Sequence, residues 1–217
     1  MRKGLEMNIL NRTKVCIIDY GSGNVKSVYN VLKYLGYDTV VSNEKSAIED
    51  SSHLILPGVG SFGSAMNKIV SKVPLDCLEY NVLNNSKPFL GICVGMQVLA
   101  DEGNEFGKFE GLGWIGGTVN KLSCGKLAIP HVGWNNIHIK DSSPIFEKLK
   151  DHKDFYFVHS YAFNVKDKKH ILASTEYGEK FASIVYKNNI YGFQFHPEKS
   201  QRAGQLLLSN FMEQKYQ

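Results

Sequence analysis

The chain reads as an α/β protein with a mostly parallel central sheet, helices on both faces, and antiparallel strands added in the C-terminal half. In the first half, apolar runs alternate with helical spacing, the order that builds parallel sheets through crossover helices. In the second half, strand-like runs follow one another, several separated by Gly, Asn or Lys turns, as antiparallel neighbours do. The 217 residues, 43% hydrophobic and 21% charged, suit one ordinary globular domain.

Residues 14–19, Lys14-Val15-Cys16-Ile17-Ile18-Asp19, read as a buried strand. A helix follows over 25–35, with Val28, Val31, Leu32 and Leu35 at helical spacing and Gly36 as its stop. Residues 37–41 form a second strand, and 53–56 a third, cut off by Pro57-Gly58. Residues 74–83 look helical. The fourth strand covers 87–92, and a helix opens behind it. Further strands are expected over 114–122, 135–139, 154–164, 170–175, 181–187 and 189–195, and a closing helix over 199–213. Residues 1–13 look like a loose extension, leaving 14–217 as a single domain.

The net charge of +4 is mild and no Lys/Arg block stands out, which gives little support to nucleic-acid or membrane-surface binding. No apolar run approaches the roughly 20 residues of a membrane span, and the start lacks the apolar stretch of a signal peptide. Cys16, Cys77, Cys93 and Cys124 lie far apart, so neither a disulfide framework nor a zinc knot is expected, and a reducing cytoplasm is the default.

Three segments carry chemistry. Gly91-Ile92-Cys93-Val94-Gly95 spans a strand end and a helix start, the nucleophile-elbow pattern G-x-S-x-G with cysteine in the serine position. Small neighbours let the chain turn sharply and leave Cys93 at the tip. The N–H groups and positive end of the helix behind it favour an anionic sulfur. The Val94 N–H is placed to receive the oxyanion of a tetrahedral intermediate. A buried, inert core cysteine is the competing reading, which the flanking glycines oppose.

The second segment ends in His196-Pro197-Glu198. A cysteine nucleophile needs a base, and His196 sits at the end of an apolar strand, where sites of parallel sheets gather. Residues i and i+2 of an extended segment project to one side, so Glu198 can orient the imidazole while Pro197 stiffens the step. The third segment, Pro57-Gly58-Val59-Gly60-Ser61-Phe62-Gly63, matches G-x-G-x-x-G. The acids about 20 residues on, Asp76 and Glu79, fall in the helix-like stretch, not at a strand end as a dinucleotide site requires. The better reading is a glycine loop whose N–H groups face the thiol.

Together these three segments resemble the class I, triad-type glutamine amidotransferases. Asp19-Tyr20-Gly21-Ser22-Gly23-Asn24, Pro130-His131-Val132-Gly133-Trp134-Asn135, Val158-His159-Ser160-Tyr161 and residues 194–201 narrow the likeness to the glutaminase subunit of imidazole glycerol phosphate synthase. The resemblance implies a flavodoxin-like fold and hydrolysis of glutamine to glutamate and ammonia. Cys93 would attack, His196 would shuttle the proton, Glu198 would steady His196, and a glutamyl thioester would form. It also implies an oxyanion hole from Val59 and Val94, and glutamine binding by Gly58, Gly60, Gln97, Ser160 and Tyr161. No cofactor is implied. The partner would be a separate (βα)8-barrel cyclase forming a heterodimer, with Asn24, Trp134 and Lys199 at or near the interface.

Two alternatives stand beside this. A paralogous glutaminase could feed ammonia to a partner that aminates or amidinates a surface sugar. A catalytically silent regulatory module of the same fold is the other, opposed by an intact Cys93, His196 and Glu198. His131 would shape the interface loop and His159 would bond a neighbouring backbone. His53, His138, His152 and His170 have no metal-like spacing, so no metal is assigned.

Overall fold

The computed structural model describes residues 13–149 and 153–214. Residues 1–12 of the expected extension, and His152, lie outside the described residues. In chain order, β1 (Lys14–Ile18), α1 (Val25–Tyr34), β2 (Asp38–Ser42), α2 (Lys45–Asp50) and β3 (His53–Gly58) come first. They are followed by α3 (Phe62–Lys72), α4 (Leu75–Glu79), a π-helical turn (Tyr80–Asn84), β4 (Phe89–Cys93) and the one-turn helix α5 (Val94–Gln97). Next are β5 (Glu102–Gly103), β6 (Phe109–Glu110), β7 (Gly117–Lys121), β8 (His131–Asn136), β9 (His138–Ile139), β10 (Asp154–His159) and β11 (Tyr161–Val165). The chain closes with β12 (Ile171–Tyr177), β13 (Glu179–Lys187), β14 (Ile190–Phe193) and α6 (Gln201–Glu213).

Among the described residues the main sheet has eight strands in the order β2-β1-β3-β4-β14-β13-β12-β9. Strands β2 to β14 of that order run parallel, and β13, β12 and β9 add antiparallel. Every residue of β3 and β4 is buried, as expected for central parallel strands covered on both faces. Their partners follow the apolar pattern. Val28 and Leu32 of α1 lie one turn apart and are buried; Phe62, Ala65, Met66 and Ile69 of α3, and Leu207 and Phe211 of α6, repeat the same logic. No helix among the described residues is long and apolar enough to cross a membrane.

The fold class agrees with the sequence reading, but the second half is subdivided more finely. Only part of it joins the main sheet. β8 and β10 pair in a two-stranded sheet, and β11-β7-β5-β6 form a four-stranded one. The strand expected over 154–164 breaks at Ser160, because β10 pairs with β8 while β11 pairs with β7. The strand expected over 135–139 begins earlier, at His131, and breaks before His138. Helices α2 and α3 had no counterpart in the expected elements. α3 starts inside the glycine loop, whose glycines hid its helical spacing.

Candidate active site

β4 delivers Cys93 to the carboxyl end of the parallel sheet, where Gly58 of β3 is its register partner. There the backbone turns so sharply that Cys93 has φ 56° and ψ −112°, a conformation L-residues rarely adopt. Such strain costs on the order of 1–3 kcal/mol and persists only where the surroundings enforce it. The enforcement is visible in the glycines. A Cβ on Gly95 would lie 1.8 Å from the Leu56 carbonyl oxygen, and one on Gly91 would lie 2.3 Å from that of Gly95. A Cβ on Gly58 would meet the Tyr20 hydroxyl at 2.6 Å and the Gly95 nitrogen at 2.7 Å. These three glycines let β3, β4 and α5 close on one another.

His196 arrives from β14, three residues beyond its end. Its N–H donates to Tyr156 O (2.9 Å), and its carbonyl accepts from Ser200 Oγ (2.7 Å). Gly204 of α6 packs on the Pro197 backbone so closely that a Cβ would lie 1.8 Å from Pro197 O, which fixes the His-Pro-Glu turn. His196 Nδ1 is 2.8 Å from Glu198 Oε1, and both side chains are shielded from solvent. A carboxylate only accepts, so the imidazole proton on Nδ1 donates to it. Asn24 Nδ2 donates to the same oxygen at 2.5 Å. Its 3.2 Å approach to His196 Nδ1 is therefore a contact between two donors. Glu198 Oε2 is buried with no hydrogen-bond partner among the described residues.

Burial works against a charge on His196, but hydrogen bonds to Cys93 and Glu198, and their negative charges, outweigh it and lift its pKa to about 10. The sulfur is also touched by Gln194 Nε2 at 3.9 Å and lies 3.8 Å from Val158 O. Cys93 and His196 face one cavity and Glu198 holds His196, the arrangement of a nucleophile, its base and the group that orients the base.

A cavity of about 170 Å³ opens on Cys93. Sites for drug-sized ligands run to roughly 300–1,000 Å³, so this one suits a single small metabolite. Val59, Gly60, Val94, Gln97, Ser160, Tyr161, His196 and Lys199 line it; Gly58 is not among the lining residues. The Val59 N–H is engaged elsewhere, donating to Ser22 Oγ at 3.1 Å. Gln97 Nε2 donates to Tyr161 O (2.9 Å) and Gln194 Oε1 (3.1 Å).

Of the three residues expected near a partner, Trp134 and Lys199 are exposed, but Asn24 is only 6% exposed and belongs to the His196–Glu198 cluster. Trp134 stands edge-on to Tyr156, and Lys199 Nζ lies 5.8 Å from the Tyr156 ring, so the three form one patch above the cavity. Glu105 was missed by the sequence reading. Its carboxylate lines the cavity and accepts from the Phe62 N–H at 2.8 Å, with burial first raising its pKa and that bond opposing the rise. It sits in a short polar loop without any motif, so only the fold reveals it. Among the described residues, no three His, Cys, Asp or Glu side chains are grouped to hold a metal ion.

The family model for glutamine amidotransferase class-I matches residues 16–215. An imidazole glycerol phosphate synthase subunit HisH 2 of Methanococcus maripaludis is 43% identical over 201 residues, covering 92% of this chain and 99% of the relative. A protein of the same name from Vibrio vulnificus is 45% identical over 202 residues, covering 92% and 94%. PurLQS from Thermotoga maritima superposes with a TM-score of 0.71 at 16% identity, over 92% of this chain and 97% of that one, which speaks for the fold alone.

Proposed function

The chain belongs to the class-I glutamine amidotransferase family, and we propose that it hydrolyses glutamine as the glutaminase subunit of an imidazole glycerol phosphate synthase, the enzyme named by its 43–45% identical relatives. One observation above all supports this: Cys93 on a strained elbow shares a cavity with His196, whose imidazole is bonded to the solvent-shielded Glu198 carboxylate.

The chemistry follows from that arrangement. The Cys93 sulfur attacks the side-chain carboxamide carbon of glutamine. The carbonyl oxygen takes the negative charge and is met by the Val94 N–H. His196, protonated beside the sulfur, gives its proton to the leaving nitrogen, so ammonia departs and a glutamyl thioester remains. The neutral imidazole then takes a proton from water, which cleaves the thioester and releases glutamate. Glu198 holds the ring in the required tautomer throughout. Gly60, Gln97, Ser160 and Tyr161 enclose the substrate, and the Glu105 carboxylate suits its ammonium group. Gly58 acts from beneath, by allowing the close packing.

Ammonia then passes to a (βα)8-barrel cyclase in a heterodimer, for histidine biosynthesis in the cytoplasm. Trp134 and Lys199 suit the partner face, and residues 14–217 form one domain. Without that partner the subunit is nearly silent. The support is the Val59 N–H, which is tied to Ser22 Oγ instead of facing the sulfur. Gly58 and Gly60 allow the peptide to turn at low steric cost, and Gly60 already has φ +98°. A loaded partner favours the turned state by binding it better.

The test is glutamate release by the complex of this chain with its cyclase. Cys93→Ala should reduce release to background with an unchanged melting temperature. Retained turnover would remove Cys93 from the mechanism.

A further inference from the structure

Two buried histidines that take no part in the proton transfers form a directed chain. His159 Nδ1 is 2.9 Å from Tyr161 O, a pure acceptor, so this nitrogen carries the proton. His159 Nε2 is 3.0 Å from His131 Nδ1, which must then be the donor. His131 Nε2 is left to accept from Asn135 Nδ2 at 3.3 Å. The Asn135 amide is itself fully directed. Its second N–H goes to Glu176 O (3.0 Å), and its oxygen accepts from the Asn136 N–H (2.8 Å). Every bond runs the same way, and protonating either ring would set N–H against N–H. The surroundings keep both rings neutral. Burial, opposed by the Tyr161 bond and aided by the neighbouring imidazoles of His131 and His196, lowers the His159 pKa to about 3; burial also lowers that of His131. His131 is clamped between Tyr177 and Phe157, with ring centroids 4.0 and 5.0 Å away.

The two ends of this chain have different surroundings. At one end, the Tyr161 carbonyl receives both His159 and Gln97, and it bounds the Ser160–Tyr161 corner of the cavity. At the other, β8 alternates: His131 is buried, while Val132 and Trp134 are 55% and 49% exposed on the opposite side of the same strand. A shift of β8 imposed from its outer side is therefore handed to the cavity from its inner side.

We propose that Asn135, His131 and His159 are a positioning relay for glutamine, fixing the Ser160–Tyr161 corner of the pocket from the strand that presents Trp134 to the partner. This rests on the glutamine reading above. None of the three touches the reacting atoms; they act through the Tyr161 carbonyl.

Two measurements on the full chain test it. In ¹⁵N-imidazole spectra, His131 and His159 should both be neutral with the proton on Nδ1; an Nε2 proton on either overturns the relay. In the complex with the cyclase, His131→Phe keeps a ring between Tyr177 and Phe157 but removes the donor. It should raise the KM for glutamine about tenfold and move kcat by less than about threefold. His131→Asn loses the ring but returns an N–H near the Nδ1 position, and should bring KM back to within about threefold of wild type despite a lower melting temperature. An unmoved KM in His131→Phe, a loss confined to kcat, or a KM in His131→Asn no better than in His131→Phe overturns the proposal. Wild type run alongside separates the two readings: if it does not hydrolyse glutamine, the glutamine reading itself falls.

Discussion

Among the described residues, Glu198 has two hydrogen-bond partners on Oε1, His196 and Asn24, and none on Oε2. Removing Asn24 would leave the imidazole alone to hold a buried carboxylate. A hydrogen bond to a charged group contributes about 1.5–3 kcal/mol, so Asn24→Ala should lower kcat about tenfold to a hundredfold with little change in KM. Steady-state kinetics of the complex, with partner affinity measured alongside, would check this; an unchanged kcat would make Asn24 a bystander. The sequence revealed this site unevenly. Cys93, with its glycines, and the His196–Glu198 step are each encoded within a few residues, so local chain chemistry exposed them. The Asn24–Glu198 bond joins residues 174 positions apart, and no spacing rule could expose it. Glu105 and the histidine relay were hidden for the same reason.

At the level of elements, the glycine loop after β3 and the turn before α1 are latched by Ser22 Oγ on the Val59 N–H. A neutral hydrogen bond contributes about 0.5–1.5 kcal/mol. Ser22→Ala should therefore raise partner-free glutamine hydrolysis about two- to tenfold while leaving the complex near wild type. Equal rates for the two isolated chains would dissociate the latch from activity. The elbow is less forgiving. Gly95→Ala puts a methyl 1.8 Å from Leu56 O, in backbone that cannot yield, and should cost several kcal/mol in urea unfolding or prevent folding. A near-wild-type midpoint would contradict this packing. The parallel strands were legible because burial on both faces writes them as continuous apolar runs. The break at Ser160 was not, because β10 and β11 differ only in which strand each pairs with, a choice made by tertiary packing.

Across the whole molecule, buried histidines make stability depend on pH. Burial lowers the pKa of His53 to about 4 and of His159 to about 3, against weaker opposing bonds, and also lowers that of His131. Unfolded, each takes up its proton near pH 6.5, so between about pH 6.5 and 3 the unfolded chain binds more protons and stability falls as pH falls. His196 acts in the opposite direction. With its folded pKa raised to about 10, its contribution is complete below about pH 6.5 and is lost as pH rises through 10. These groups together favour a maximum near neutrality. His53 lies outside the active site, against Phe211 of α6. His53→Gln should reduce the acid slope of the unfolding free energy, measured by urea titration between about pH 6.5 and 4, by up to about 1.4 kcal/mol per pH unit, without changing glutamine turnover. An acid slope equal to wild type would contradict the depressed pKa.

The molecule carries four free cysteines, and only Cys93 lines the cavity. Cys93 as the nucleophile is tested most directly by treating the complex with a glutamine analogue carrying an electrophilic carbon in place of the carboxamide, then mapping the adduct by peptide mass spectrometry. One adduct per chain is expected, on Cys93, suppressed by excess glutamine. An unmodified Cys93, or labelling of Cys16, Cys77 or Cys124 that glutamine protects equally well, would contradict it.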